Sequence, residues 1–181
     1  MRILFIGDIM GRSGRDAVAK YVPNLRQSLN LDVVIANGEN ATHGKGILAK
    51  NAQEMYEAGV DCITGGNHTW DQKETILTID RDPKMLRPLN FPAGTPGKGS
   101  YIHAMQDGRK ILILNAMGRT YMDALDDPFS GAIEALKTHA LGRSVQAIFV
   151  DFYVQATSEK MAFAHYLDGK VSAVVGTHTS I

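Results

Sequence analysis

The chain has 181 residues, 44% of them apolar and 21% charged, which is enough for one domain with its own core and short for two. Nineteen basic side chains balance nineteen acidic ones, so net charge alone gives no hold on nucleic acid or an anionic lipid surface; only a local basic patch could do so. Apolar stretches stay well short of the ~20 residues of a membrane-spanning helix, and Met1-Arg2 leads straight into a strand-like run rather than a signal peptide, so a cytoplasmic address with no membrane partner is expected.

Strand-type and helix-type periodicities alternate along the chain, which predicts an α/β fold with a mostly parallel sheet in a single domain over 1–181. A strand over 2–7 precedes a helix over 13–30 whose Val18, Val22, Leu25 and Leu29 share a face, with Pro23 expected to kink or restart it. Strand 32–37 leads to a glycine-rich loop, 38–46, then to a helix over 48–58 capped by Gly59. Strand 60–64 holds Cys62, the only cysteine, so no internal disulfide can form and a buried thiol is expected.

A helix led by Trp70 runs to Ile79, and 90–99, with Pro92, Gly94, Pro96, Gly97 and Gly99, must be irregular. Asp107-Gly108 is a turn signal that pairs 100–105 with 110–115 as a hairpin. After a loop at 123–128 come a helix over 129–138, a strand over 146–151, and a helix over 157–167 with Thr157 as N-cap and Glu159 in its first turn. Asp168-Gly169 turns the chain into a last strand, 171–175.

Short polar clusters stand where the apolar runs stop: Asp8 after the first, Glu39-Asn40 after the second, Asn67-His68 after the third and His178 after the last. Each alone has a bland reading as a turn, cap or solvated residue. Together they are carboxylate, amide and imidazole groups, all able to bind divalent cations, and each cluster follows a glycine that lets the backbone come close. If the strands run side by side, these groups meet at one sheet edge, where open α/β sheets bind ligands. His103, His139 and His165 have no such neighbours and suit surface or capping roles; His43, beside Lys45, could meet a phosphate, though exposure is the simpler account.

Two phosphate-loop alternatives fail on the letters. Between Gly38 and Gly44 lie five residues where a Walker A loop needs four, and Gly46 stands where Ser or Thr would be required. The run from Gly7 to Gly14 lacks the first Gly-x-Gly pair of a dinucleotide fingerprint and places Asp8 where a pyrophosphate would lie.

Taken together, Gly7-Asp8, Asn37-Gly38-Glu39-Asn40, Gly66-Asn67-His68-Thr69-Trp70-Asp71, Arg87-Pro88, Gly94-Thr95-Pro96-Gly97, Ala156-Thr157-Ser158-Glu159-Lys160 and Gly176-Thr177-His178-Thr179 resemble the YmdB-like branch of the calcineurin-type metallophosphoesterases over essentially the whole chain. The resemblance implies a four-layer αββα sandwich and a two-metal phosphodiesterase acting on cyclic nucleotides, 2′,3′-cyclic mononucleotides or 3′,5′-cyclic AMP. It assigns Asp8, Glu39 and Asn40 to one cation and Asn67 and His178 to the other, with Glu39 bridging and His68 as general acid or charge stabiliser. Oxygen-rich ligation suits iron or manganese, with magnesium or zinc as alternatives.

The chain departs from the family pattern in two ways. Tyr153 and Ser180 stand where the family has histidines, and Gln155 where it usually has an acid, so weaker metal binding and slower turnover are expected. Tyrosine can ligate a ferric ion as phenolate, whereas serine at 180 would leave a gap for water. Family members also continue past this point, so the C-terminal strands of the sandwich are expected to be missing. The alternatives are a non-catalytic relative that binds nucleotide or RNA and regulates through a partner, and an unstable truncated product. Binding to DNA is not expected, and a homo-oligomer is compatible with the family.

Overall fold

A computed structural model of the chain describes residues 1–179; Ser180 lies outside them. The chain divides into two compact units, Met1–Leu86 and Arg87–Ile181.

The first unit is built on β1 (Ile3–Ile6), β2 (Val33–Asn37) and β3 (Cys62–Thr64), a three-stranded parallel sheet in the order β1-β2-β3. Crossovers α1 (Gly11–Ser28) and α2 (Ala49–Glu57) join them, and α3 (Lys73–Thr78) follows, prolonged by a 3-10 turn at Ile79–Arg81. Every residue of the central strand β2 is buried, as a continuous apolar run in a parallel sheet demands. Val34, Ala36 and Ile63 pack with Val18 and Val22 of α1 and with Ala52 and Met55 of α2.

Helix α1 runs through Pro23 without a break, contrary to the expected restart. Pro23 and Ala19, whose carbonyl loses its donor, are both exposed, so water can take the missing bond. Gly59 caps α2 as expected: at φ +106° it donates to the Tyr56 carbonyl, and the N–H of Val60 donates to Met55. The helix expected to start at Trp70 starts instead at Lys73, because 67–72 is a chain of turns. Cys62 is a buried thiol, as expected.

The second unit is a mixed sheet in the order β4-β5-β6-β7, comprising β4 (Ser100–Ala104), β5 (Lys110–Met117), β6 (Ala147–Val154) and β7 (Ala173–His178). The hairpin pairs β4 with β5 antiparallel, and Gly108 at φ +87° supplies the left-handed turn residue. Helices α4 (Pro128–Lys137) and α5 (Thr157–Tyr166) carry the parallel crossovers to β6 and β7. Leu112, Leu114, Val150 and Phe152 of the sheet meet Ala132 of α4 and Phe163 of α5, and the Phe152 and Phe163 rings stack 3.9 Å apart.

Thr157 is the first residue of α5 rather than its cap; the cap position is Ala156, with no side-chain bond. Glu159 lies in the first turn as expected, and its carboxylate also accepts the backbone N–H groups of Arg119 and Thr120. Strand β7 reaches three residues past its expected end, so Gly176-Thr177-His178 belongs to the ladder instead of following it. The single sheet edge expected from the sequence is therefore two sheets, with β7 in the second. Among the described residues, no helix is long and apolar enough to cross a membrane.

Candidate metal centre

The first unit gathers Asp8, Glu39, Asn40, Asn67 and His68 just beyond the C-terminal ends of three adjacent parallel strands. Asn37, the last residue of β2, bends the chain there by accepting the Glu39 backbone N–H through its side chain at 3.1 Å, a local Asx turn. Gly38 is needed for contact: a Cβ on it would come 2.8 Å from Ile63 Cγ2. The Asn40 carbonyl accepts the Gly11 N–H at 2.8 Å, and its amide donates to Asp8 Oδ1 at 2.7 Å, so the β1 and β2 loops are tied together through two predicted ligands.

The loop after Asn40 is fixed to the 67–72 turns. Gln72 donates to the Lys45 carbonyl at 2.6 Å, and Gly46, at φ +69°, sits where a Cβ would meet the His68 carbonyl at 2.8 Å. Gly65 is equally hemmed in by Thr69 Oγ1 and the Leu86 carbonyl. Glycine is therefore required by close approach at both positions.

Glu39 is the least solvated member, 1% exposed. One carboxylate oxygen accepts the backbone N–H of His68, while Oε2 is buried with no hydrogen-bond partner among the described residues, as is Oδ1 of Asn67. Burial pushes the Glu39 carboxyl well above the usual carboxylate range; the N–H groups of His68 and Gly66 oppose this, and the nearby charges of Asp8 and Asp71 reinforce it. Buried oxygens without donors are costly unless something positive meets them. Two such oxygens, on Glu39 and Asn67, with Asp8 close by, fit a cation. Among the described residues no group of three His, Cys, Asp or Glu is gathered to hold a metal.

Asp71 belongs to the quoted motif, yet the sequence assigns it no role. In the structure its carboxylate lies 2.9 Å from His68 Nδ1, which places the ring proton there and leaves Nε2 as the second working nitrogen. A carboxylate three residues after the histidine was the only sequence signal. An open apolar groove of about 560 Å³ between β1 and α1, lined by Leu4, Ile6, Val18, Tyr21 and Val22, reaches Asp8 at its edge.

In the second unit His178 ends β7 at φ +81°, its ring 4.7 Å from that of Tyr153 and its Nε2 2.6 Å from Gln155 Oε1. Tyr153 is 1% exposed, inside β6. Below them Thr177 donates to the buried Asp151 carboxylate at 2.7 Å, and the Lys160 ammonium donates to the Thr179 carbonyl.

The YmdB-like protein family model matches residues 4–181. The chain belongs to that family. It is 50% identical over 182 residues to the 2′,3′-cyclic-nucleotide 2′-phosphodiesterase of Bacillus subtilis, a match covering 100% of this chain and 67% of that protein. A putative phosphatase/phosphodiesterase of Mycoplasma genitalium is 38% identical, with 100% of this chain and 65% of that protein covered. This YmdB-like chain thus spans about two thirds of the length of the curated relatives it matches.

Two crystal structures share its fold. A hypothetical protein from Thermus thermophilus superposes with a TM-score of 0.90 at 46% identity, over 99% of this chain and 68% of that one. A novel phosphatase from Mycoplasma pneumoniae gives 0.88 at 35% identity, over 98% and 63%. The mixed α/β metallophosphoesterase architecture implied by the motifs is therefore the fold of the YmdB-like chain.

Proposed function

We propose that the chain is a metal-dependent phosphoric diester hydrolase whose substrates are cyclic nucleotides, 2′,3′-cyclic mononucleotides first and 3′,5′-cyclic AMP second. The observation that carries this is the pair of partnerless buried oxygens, Glu39 Oε2 and Asn67 Oδ1, at the ends of neighbouring strands in a chain 50% identical to a protein named for that activity.

Asp8, Glu39, Asn40 and Asn67 are the proposed cation ligands of the first unit; His178, in the second unit, is proposed separately as an imidazole ligand. Bound divalent cations would offset the phosphodiester's charge and lower the pKa of bound water toward ~7. The chain's own part is positional. The N–H of His68 and the Asn37 turn hold Glu39 in place, and the Asn40 amide orients Asp8. His68, with Nδ1 committed to Asp71, presents Nε2 to a substrate oxygen; in its protonated form that N–H gives its proton to the leaving alkoxide.

Iron or manganese suits a set dominated by oxygen. The deciding experiment is elemental analysis of the purified protein together with hydrolysis of 2′,3′-cyclic AMP and 3′,5′-cyclic AMP with and without added Mn²⁺. Bound metal and metal-stimulated opening of the 2′,3′ ring are expected. Nucleotide binding without turnover in metal-loaded protein would replace this reading with that of a non-catalytic binding relative.

A further inference from the structure

His178 is solvent-exposed, yet two side chains of the second unit meet its ring. Its ring lies against Tyr153, and its Nε2 lies 2.6 Å from Gln155 Oε1. Its backbone, at φ +81°, sits in the left-handed region that side chains other than glycine's enter at a cost. The next residue anchors that conformation: Thr179 Oγ1 donates to the carbonyls of Val154 and Gln155, and the Thr179 carbonyl accepts from the Lys160 ammonium. An exposed histidine with no role beyond solubility would need none of these restraints.

We propose that Gln155 is a positioning residue for His178: its side-chain carbonyl fixes the imidazole proton on Nε2, which makes Nδ1 the nitrogen carrying the lone pair for a cation. An amide oxygen has lone pairs and no proton, so it can meet Nε2 only if Nε2 carries the hydrogen, and a neutral ring protonated there is unprotonated at Nδ1. Outer groups that accept the far N–H of a ligating histidine set its tautomer and orientation in this way. Glutamine supplies the acceptor without adding a negative charge beside the site, unlike the acid that the family pattern suggested for this position. The inference rests on the reading of His178 as a ligand, but the state of the ring can be measured without metal.

The test is ¹⁵N and ¹³C NMR of the His178 ring in metal-free full-length chain, for wild type, Gln155→Leu and Gln155→Glu, followed by titration with Zn²⁺ as a diamagnetic probe and Mn²⁺ affinity measurements. A single Nε2–H tautomer is expected in wild type and in Gln155→Glu, whose carboxylate also only accepts. Gln155→Leu should relax toward the tautomer mixture of an unrestrained imidazole and lose about 10–100-fold in Mn²⁺ affinity. Zn²⁺ should shift Nδ1 in wild type. A wild-type ring protonated at Nδ1, as an amide turned to donate would require, overturns the proposal, as does a Gln155→Leu ring and affinity indistinguishable from wild type. An Nε2–H tautomer in wild type that Gln155→Leu relaxes, with no Zn²⁺ response at Nδ1, confirms what Gln155 does to the ring and counts against the metal reading of His178.

Discussion

The backbone N–H of His68 donates to one carboxylate oxygen of Glu39, and this single bond couples the residue proposed to hold the cations to the residue proposed to move the proton. Because Oε1 is committed to it, Oε2 is the atom left without a donor. Glu39→Gln keeps the shape and removes the charge. In the metal-free protein the exchange should be neutral or stabilising, since burial already disfavours the ionised form. With Mn²⁺ present the order reverses: a ligand at 100 times its Kd stabilises the folded wild type by about 2.7 kcal/mol, most of which the variant should lose. Thermal melting of both proteins with and without Mn²⁺ checks it, and an equal Mn²⁺ shift in the two would remove Glu39 from the site.

Asp71→Asn tests the orientation of His68. The amide can offer its oxygen to Nδ1–H but lacks the carboxylate's charge and symmetry, so the ring samples other positions. A fall in kcat on the order of 10²-fold with metal content unchanged is expected, the low end of what positioned proton transfer contributes. Steady-state kinetics alongside metal analysis separates this from a loss of cation.

Local signals were legible where one residue decides the geometry. Gly59 at the end of α2 and Asp107-Gly108 in the hairpin acted as their chemistry requires, and Asp8, Glu39-Asn40 and Asn67-His68 lie at strand ends as their placement after apolar runs implied. Sheet membership was not legible, because an apolar run reads the same whichever strand it pairs with, and β7 joined β6 rather than the sheet holding Asp8. The surroundings of His178 were hidden for the same reason: Tyr153 and Gln155 lie 25 and 23 residues earlier and meet it only through the β6–β7 register. Thr157 failed as a cap because the helix begins at Thr157 itself, which leaves the cap position to Ala156.

Tyr153 fills its place in β6 as a buried aromatic packed against His178, where the family resemblance expects a histidine. Replacing Tyr153→His together with Ser180→His restores both expected imidazoles. Metal stoichiometry and hydrolysis of a 2′,3′-cyclic nucleotide should both rise, measured by elemental analysis and initial rates. No gain from the double variant would mean that the tyrosine and serine do not limit the site.

Gly99 stands so close to Leu89 that a Cβ would lie 2.3 Å from the leucine Cα, and backbone cannot yield as a flexible side chain can. The atoms nearest a Cβ on Gly176 belong to the aliphatic stem of Lys160, and a Cβ on Gly7 meets nothing within 4 Å. Gly99→Ala should therefore destabilise by at least the 1–3 kcal/mol typical of overpacking, Gly176→Ala by less, and Gly7→Ala hardly at all. Urea denaturation of the three variants gives the ranking, and equal midpoints for Gly99→Ala and Gly7→Ala would contradict the close contact.

Asp127 caps α4, its carboxylate accepting the N–H groups of Phe129 and Ser130 while Pro128 occupies the first turn without needing a partner. The Ser130 hydroxyl, foremost, and these N–H groups hold the carboxyl below the usual carboxylate range. A carboxyl whose pKa is lowered by folding adds stability that is fully present above its unfolded value and is lost as pH falls through the folded one. Asp127→Ala should cost about 1 kcal/mol at neutral pH, as lost N-caps do, and Asp127→Asn, an equally good cap, little. The gap between wild type and Asp127→Ala should then narrow as pH is lowered through and below ~3.9, the ordinary value for aspartate, in chemical denaturation at each pH. A gap independent of pH over that interval would show that the ionised carboxylate is not what caps the helix.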